Sequence, residues 1–159
     1  MQNDGVWQAL VKGETDMGGH GFNATLRDWG RFGLFVANGG TLADGTALLP
    51  ADWIRQSTTW TRAKGSVTPE TPRGQYGYQW WYGGLDPRRP ASASQRRTAD
   101  GTFWAQGIFG QGIAINPTEH LVMVQWSVWA HADGPESLHE ERSAFFNALA
   151  DALASPRRH

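Results

Sequence analysis

Leu26, Trp29, Gly33 and Val36 recur every three to four positions, and Arg27, Asp28 and Arg31 fall between them. That spacing predicts an amphipathic helix from near Ala24, its charged residues turned to solvent. Asn23 or Thr25 can cap it. Asp28, three residues after Thr25, resembles the second half of a capping box. Asn38-Gly39-Gly40 ends it as a left-handed cap would. Leu49-Pro50-Ala51-Asp52-Trp53-Ile54 predicts a second, short helix with proline in its first turn.

Beyond a polar, turn-rich stretch from Thr58 to Gly74 the period changes to two. Tyr76, Tyr78 and Trp80 alternate with Gly77, Gln79 and Trp81, which predicts one strand. Gly83 to Gly101 reads as a loop. Phe103 to Phe109 is apolar and runs into Gly110-Gln111-Gly112. Ile113 and Ile115 continue as a strand to the turn signal Asn116-Pro117-Thr118-Glu119. Leu121 to Trp129 answers it, with Val122, Val124, Trp126 and Val128 on one face, so an antiparallel meander is predicted. A last helix opens at Ser137, where Ser-x-x-Glu ends at Glu140, and carries a stripe of Leu138, Phe145, Leu149 and Ala152. The fold class is α+β: an antiparallel sheet of three to four strands with flanking helices. The last helix covers the sheet, and Trp126 and Phe145 share one core.

Composition narrows the function. At 159 residues the chain is the size of one domain, long enough to bury roughly 70% of its unfolded surface. Apolar residues at 40% and charged residues at 18% argue against disorder. A net charge of −1 with scattered Lys and Arg leaves no footprint for nucleic acid. No apolar run is long enough to span a membrane. There are no cysteines, so disulfides and thiolate chemistry are excluded and the compartment is undetermined. Nine Trp, seven Phe and three Tyr either fill a core or line a pocket, and their regular spacing favours the core.

Most motifs for chemistry fail on context. The five histidines include no His-Glu-x-x-His pair, so neither a metal nor any other cofactor is expected. Gly19-His20-Gly21-Phe22-Asn23-Ala24 matches a dinucleotide-binding pattern but follows no strand. None of the eight serines has lysine three residues on. Thr61-Arg62-Ala63-Lys64 has that spacing with threonine, but in a turn-rich stretch with no apolar helix after it. What remains is Gly107-Ile108-Phe109-Gly110-Gln111-Gly112. Glycines there mark either a bulge or a close approach to the backbone.

Two segments together resemble a known family. Gly18 to Gly33, with Asn23-Ala24-Thr25, Arg27-Asp28 and Arg31-Phe32-Gly33, is similar to a stretch of class C β-lactamase-like serine hydrolases. Tyr76 to Trp81, then Ala105 to Gln111, then Ile115-Asn116-Pro117 with Leu121 to Val124, resemble the C-terminal strands of that family. The 6-aminohexanoate-dimer hydrolases and related esterases are the nearest relatives by this likeness. The resemblance implies a parent enzyme that cleaves a small amide or ester through an acyl-serine. The family's Ser-x-x-Lys nucleophile and Tyr-x-Asn loop occur nowhere in residues 1–159. The chain is therefore expected to be a single partial domain, the C-terminal part of the hydrolase, inactive alone. Ile108, Phe109 and Gly110 would take the place of the β-lactamase Lys-Thr-Gly strand, without the lysine, which disfavours a β-lactam carboxylate. By the resemblance, the Gln111 backbone N–H would be an oxyanion donor, worth roughly 3 kcal/mol in the transition state. Phe22 and Asn23 would face the same cleft.

A different class of reading is a binding or assembly domain that kept the scaffold without its chemistry. In either case an N-terminal half would be missing, a sheet edge would lie open, and a two-fold homodimer is the expected response.

Overall fold

The computed structural model describes residues 1–7, 19–59, 75–82 and 101–154. The Thr61/Lys64 pair, the arginines of 88–97 and most of the two loops lie outside the described residues. The elements are β1 (Val6–Trp7), β2 (Phe22–Asn23), α1 (Leu26–Ala37), α2 (Trp53–Thr58), β3 (Gln75–Gly77), β4 (Trp80–Tyr82), β5 (Phe103–Gln106), β6 (Gly112–Asn116), β7 (Leu121–Gln125) and α3 (Glu136–Ala154). β1 and β2 form a small antiparallel pair. β3 to β7 form one antiparallel sheet in sequence order. The fold class is as expected, with five strands in the main sheet. The extra strand arises because Tyr76 to Trp81 is a hairpin. Tyr78 and Gln79 both sit in the left-handed region, φ 52° and 66°, and reverse the chain in two residues. Left-handed dihedrals at both turn positions match the twist of the flanking strands, and no Asn-Gly announces them here.

The sheet is covered on both faces. Alternation along β6 sends Ile113 and Ile115 one way, into a core with Phe103, Val36 of α1 and Ile54 of α2. Ala114 points the other way, into a core with Trp104, Leu121, Met123 and, from α3, Phe146 and Ala150. Gly33 lets α1 settle on β7, since a Cβ there would stand 2.4 Å from Val122 Cγ1. Asn116 closes the β6–β7 turn: its amide donates to Thr102 Oγ1 (2.9 Å) and its oxygen accepts from the Glu119 N–H (3.0 Å).

Several expectations need correction. β5 stops at Gln106, so Gly107 to Gly110 is not strand. β7 stops at Gln125, and Trp126 and Val128 are exposed. α3 starts at Glu136, so Ser137 lies within its first turn and does not cap it. Its buried face is Arg142, Phe146, Asn147 and Ala150, whereas Phe145 is 57% exposed. Trp126 and Phe145 therefore share no core. The stripe was misread because Arg142 and Asn147 count as polar, yet an arginine stem packs like a hydrocarbon.

In α1, Thr25 is the N-cap, its Oγ1 accepting from the Asp28 N–H at 3.1 Å. Asp28 does not face solvent: it is wholly buried, whereas Leu26 is exposed. The Asp28 carboxylate accepts from the Gln2 N–H (2.6 Å), the Asn3 N–H (3.1 Å), Asn3 Nδ2 (3.0 Å), Thr25 Oγ1 (2.9 Å) and Arg31 Nη1 (2.9 Å). It ties the first residues of the chain to the start of α1. These donors, led by the Gln2 N–H, hold its carboxyl far below the ordinary carboxylate range.

Candidate functional site

The connection between β5 and β6 is short and fixed. Gly107 leaves β5 extended, Ile108 to Gly110 make one 3₁₀ turn, and Phe109 takes φ 58°, ψ 24° inside it. A bulky residue in that region costs about 1–2 kcal/mol and persists only where its surroundings insist on it. Here they do. The Gly107 N–H donates to Gln111 O at 2.9 Å, and the Phe109 N–H to Ala132 O at 2.8 Å. The Trp129 N–H donates to Phe109 O at 3.1 Å. Gln111 Nε2 donates to Ser127 O at 2.5 Å. The chain after β7 thus straps the turn on three sides.

The Trp129 indole fills the space behind it. A Cβ on Gly110 would lie 2.4 Å from the ring, and one on Gly134 2.3 Å. Both glycines also have positive φ, 83° and 64°. Behind the indole stands Arg142 of α3, buried, its guanidinium carbon 5.3 Å from the Trp129 ring centre and 5.1 Å from that of Trp104. Arg142 Nη2 donates to Gln106 Oε1 at 2.6 Å and lies 3.1 Å from His139 Nδ1. His139 Nε2 sits 2.6 Å from Asp133 O. A carbonyl only accepts, so Nε2 carries the proton and Nδ1 takes the bond from Arg142. The His139 ring also meets Trp129 edge-on at 4.7 Å. Turn, indole, guanidinium and helix are stacked layers.

Outward, the turn presents the exposed side chains of Ile108 and Phe109. Its N–H groups differ in what they can offer. That of Gln111 points to Ile108 O at a long 3.5 Å. That of Ile108 donates to no described residue. A rigid turn with an uncommitted N–H at its exposed face is what a developing oxyanion needs, because the donor is positioned before charge appears.

The structure brings Ile108, Phe109, Gly110 and Gln111 together in this one turn. Phe22 and Asn23 sit on β2, where Trp7 pairs with Phe22 and Val6 with Asn23. The Phe22 ring lies 4.9 Å from that of Trp7 and 5.5 Å from that of Trp29, and Asn23 Nδ2 donates to Gly21 O at 2.9 Å. Their visible work is to join the small sheet to α1, and no described contact links them to the turn. Sequence reasoning missed Trp129, Arg142 and His139. Trp129 read as one more position of an alternating strand, and Arg142 and His139 as the wet side of a helix. The signal was Gly110 and Gly134 flanking a tryptophan, which shows only once the ring is seen between them.

The family model for β-lactamase matches residues 2–145, taking in both sheets, α1, α2, the β5–β6 turn and the first half of α3. That match covers most of the chain and agrees with the antiparallel sheet flanked by helices on both faces, and so the chain belongs to the β-lactamase family and has a serine-hydrolase-type scaffold.

Proposed function

We propose that this chain forms the strand wall and one backbone oxyanion donor of a serine hydrolase that cleaves small amides or esters through an acyl-serine, as 6-aminohexanoate-dimer hydrolases do. The nucleophile of this reading is not among residues 1–159: no serine has a lysine three residues on. The observation that carries the proposal is the strapped β5–β6 turn, with its left-handed Phe109 and its exposed N–H face. The donor belongs to this turn, from Gln111 or from its neighbour Ile108. Of the two, the Ile108 N–H competes with no internal acceptor. The absence of a lysine from Gln106-Gly107-Ile108 removes the ordinary anchor for a β-lactam carboxylate and favours uncharged acyl groups. Phe22 and Asn23 belong to the outer flank of the cleft in this reading.

A fluorophosphonate probe and a p-nitrophenyl ester series test it. The chain alone is expected to show no stoichiometric serine labelling and only a residual esterase rate, because backbone donors without a nucleophile give little. Stoichiometric labelling of any one serine would show that the nucleophile lies within residues 1–159.

A further inference from the structure

The outer edge of β7 carries an inference independent of the catalytic reading. Among the described residues, β7 is the last strand of the sheet and has a neighbour only on its β6 side. Its sequence, Leu-Val-Met-Val-Gln, contains no charge and no proline, the devices that normally protect an edge. A groove of about 490 Å³ runs along it, lined by Gly30 and Leu34 of α1, Leu121 and Val122 of β7 and Leu153 of α3. α1 and α3 lie on opposite faces of the sheet. One groove can touch both only by wrapping around the edge of β7. Each helix adds an apolar row at i, i+4, i+8 spacing: Leu26, Gly30 and Leu34 on α1, and Phe145, Leu149 and Leu153 on α3. Leu26, Leu34, Phe145 and Leu153 are all exposed.

We propose that the occupant of this edge is a second copy of the chain, paired antiparallel through β7 about a two-fold axis at Met123. In that register Val122 faces Val124 of the second copy, and Leu121 faces Gln125. The pattern is self-complementary, as a two-fold interface must be, and it places no charge opposite a like charge. The axis is perpendicular to the sheet, so α1 meets α1 on one face and α3 meets α3 on the other. Distances favour this. α1 packs on both β6 and β7. With strands about 4.8 Å apart, its axis stands about 10 Å from that of its copy, a normal helix-packing distance. Gly30, at the centre of the α1 row, permits that approach. α3 packs over Ala114 of β6. The two α3 helices then stand roughly 14 Å apart, a gap for Phe145 and Leu153 to bridge. Arg27, Arg31 and His120 remain at the polar rim.

The test is sedimentation of the full 159-residue chain from nanomolar to high micromolar concentration, with hydrogen exchange at β7. The mass is expected to rise from 17.5 kDa to twice that value, and alternate β7 amides to become protected as it rises. Leu34→Lys with Leu153→Lys should weaken association by roughly 100-fold or more, because each lysine is desolvated without a partner, and leave the circular dichroism unchanged. Leu48→Lys, exposed but away from the strip, should leave association intact. A mass of 17.5 kDa at every concentration overturns the proposal, and if β7 is then still protected, the edge is covered by the chain's own residues. A dimer that survives Leu34→Lys with Leu153→Lys overturns it too.

Discussion

Replacing Gly110 by alanine isolates the strap around the β5–β6 turn. Two costs add there. The left-handed backbone, φ 83°, costs a residue with a Cβ about 1–2 kcal/mol. The new methyl would also stand 2.4 Å from Trp129 Cε2, with Cδ2 and Nε1 each at 2.6 Å. The indole cannot retreat freely, because Gly134 presses its other edge and Arg142 stands behind. Overpacking of this kind costs about 1–3 kcal/mol. The sum is roughly 2–5 kcal/mol, a large part of the 5–15 kcal/mol that holds a typical domain. Gly39→Ala is the matched control: its φ is 66°, and nothing lies within 4 Å of the added methyl, so it should lose only the backbone share, about 1–2 kcal/mol. Urea denaturation of both variants, followed by circular dichroism, gives the difference. Pairing Gly110→Ala with Trp129→Ala should remove the clash, so the double variant costs less than the sum of the singles. If Gly110→Ala proves no worse than Gly39→Ala, the indole is not the wedge described here.

Three further outcomes follow from the packing. Phe146→Ala should cost about 3–5 kcal/mol and Phe145→Ala within ~0.5 kcal/mol, since only the first is buried; equal losses in thermal melts would restore the other face of α3. The Asp28 carboxyl titrates below its unfolded value of 3.8, so its stabilisation is complete above that pH and is lost as pH falls below it toward the folded value. Acid titration of Asp28→Asn should show lower stability at pH 7 and a flatter acid limb, and an unchanged limb would refute the assignment. Arg142→Leu should keep the apolar volume but release Gln106 and His139, loosening the strap, and faster hydrogen exchange at the Phe109 amide checks this.

The sequence made the meander legible because its signals are local. Asn116-Pro117-Thr118-Glu119 can only turn, and Ile113/Ile115 against Val122/Val124 can bury only one way. The start of α1 was legible for the same reason, since Thr25 and Asp28 sit within one turn. What escaped depends on partners distant in sequence. Asp28 reads as a surface charge until Gln2 and Asn3 arrive with their N–H groups. Arg142 reads as solvent-facing until Trp104, Trp129 and Gln106 surround it. Tyr78 and Gln79 lack the residues that normally mark a two-residue turn. At the candidate site, the glycines of 107–112 announced an unusual backbone. They could not say whether it was a strand bend or a turn, because the strap that decides lies twenty residues on.

The order β3-β4-β5-β6-β7 has a kinetic consequence. Every pairing in the sheet joins strands adjacent in sequence, so each can zip from the one before it without waiting for a remote segment. Proteins with such low contact order fold fast. Of these steps, β4 to β5 closes the longest excursion, and the entropic cost of closure grows only as the logarithm of its length. The contact that must reach far is α1 onto β7, where Gly33 meets Val122 across nearly ninety residues. The meander is therefore a template that exists before its helix arrives. Docking of α1 is the event that sets the folding time, and substitutions at Gly33 would act on the rate at which the domain forms.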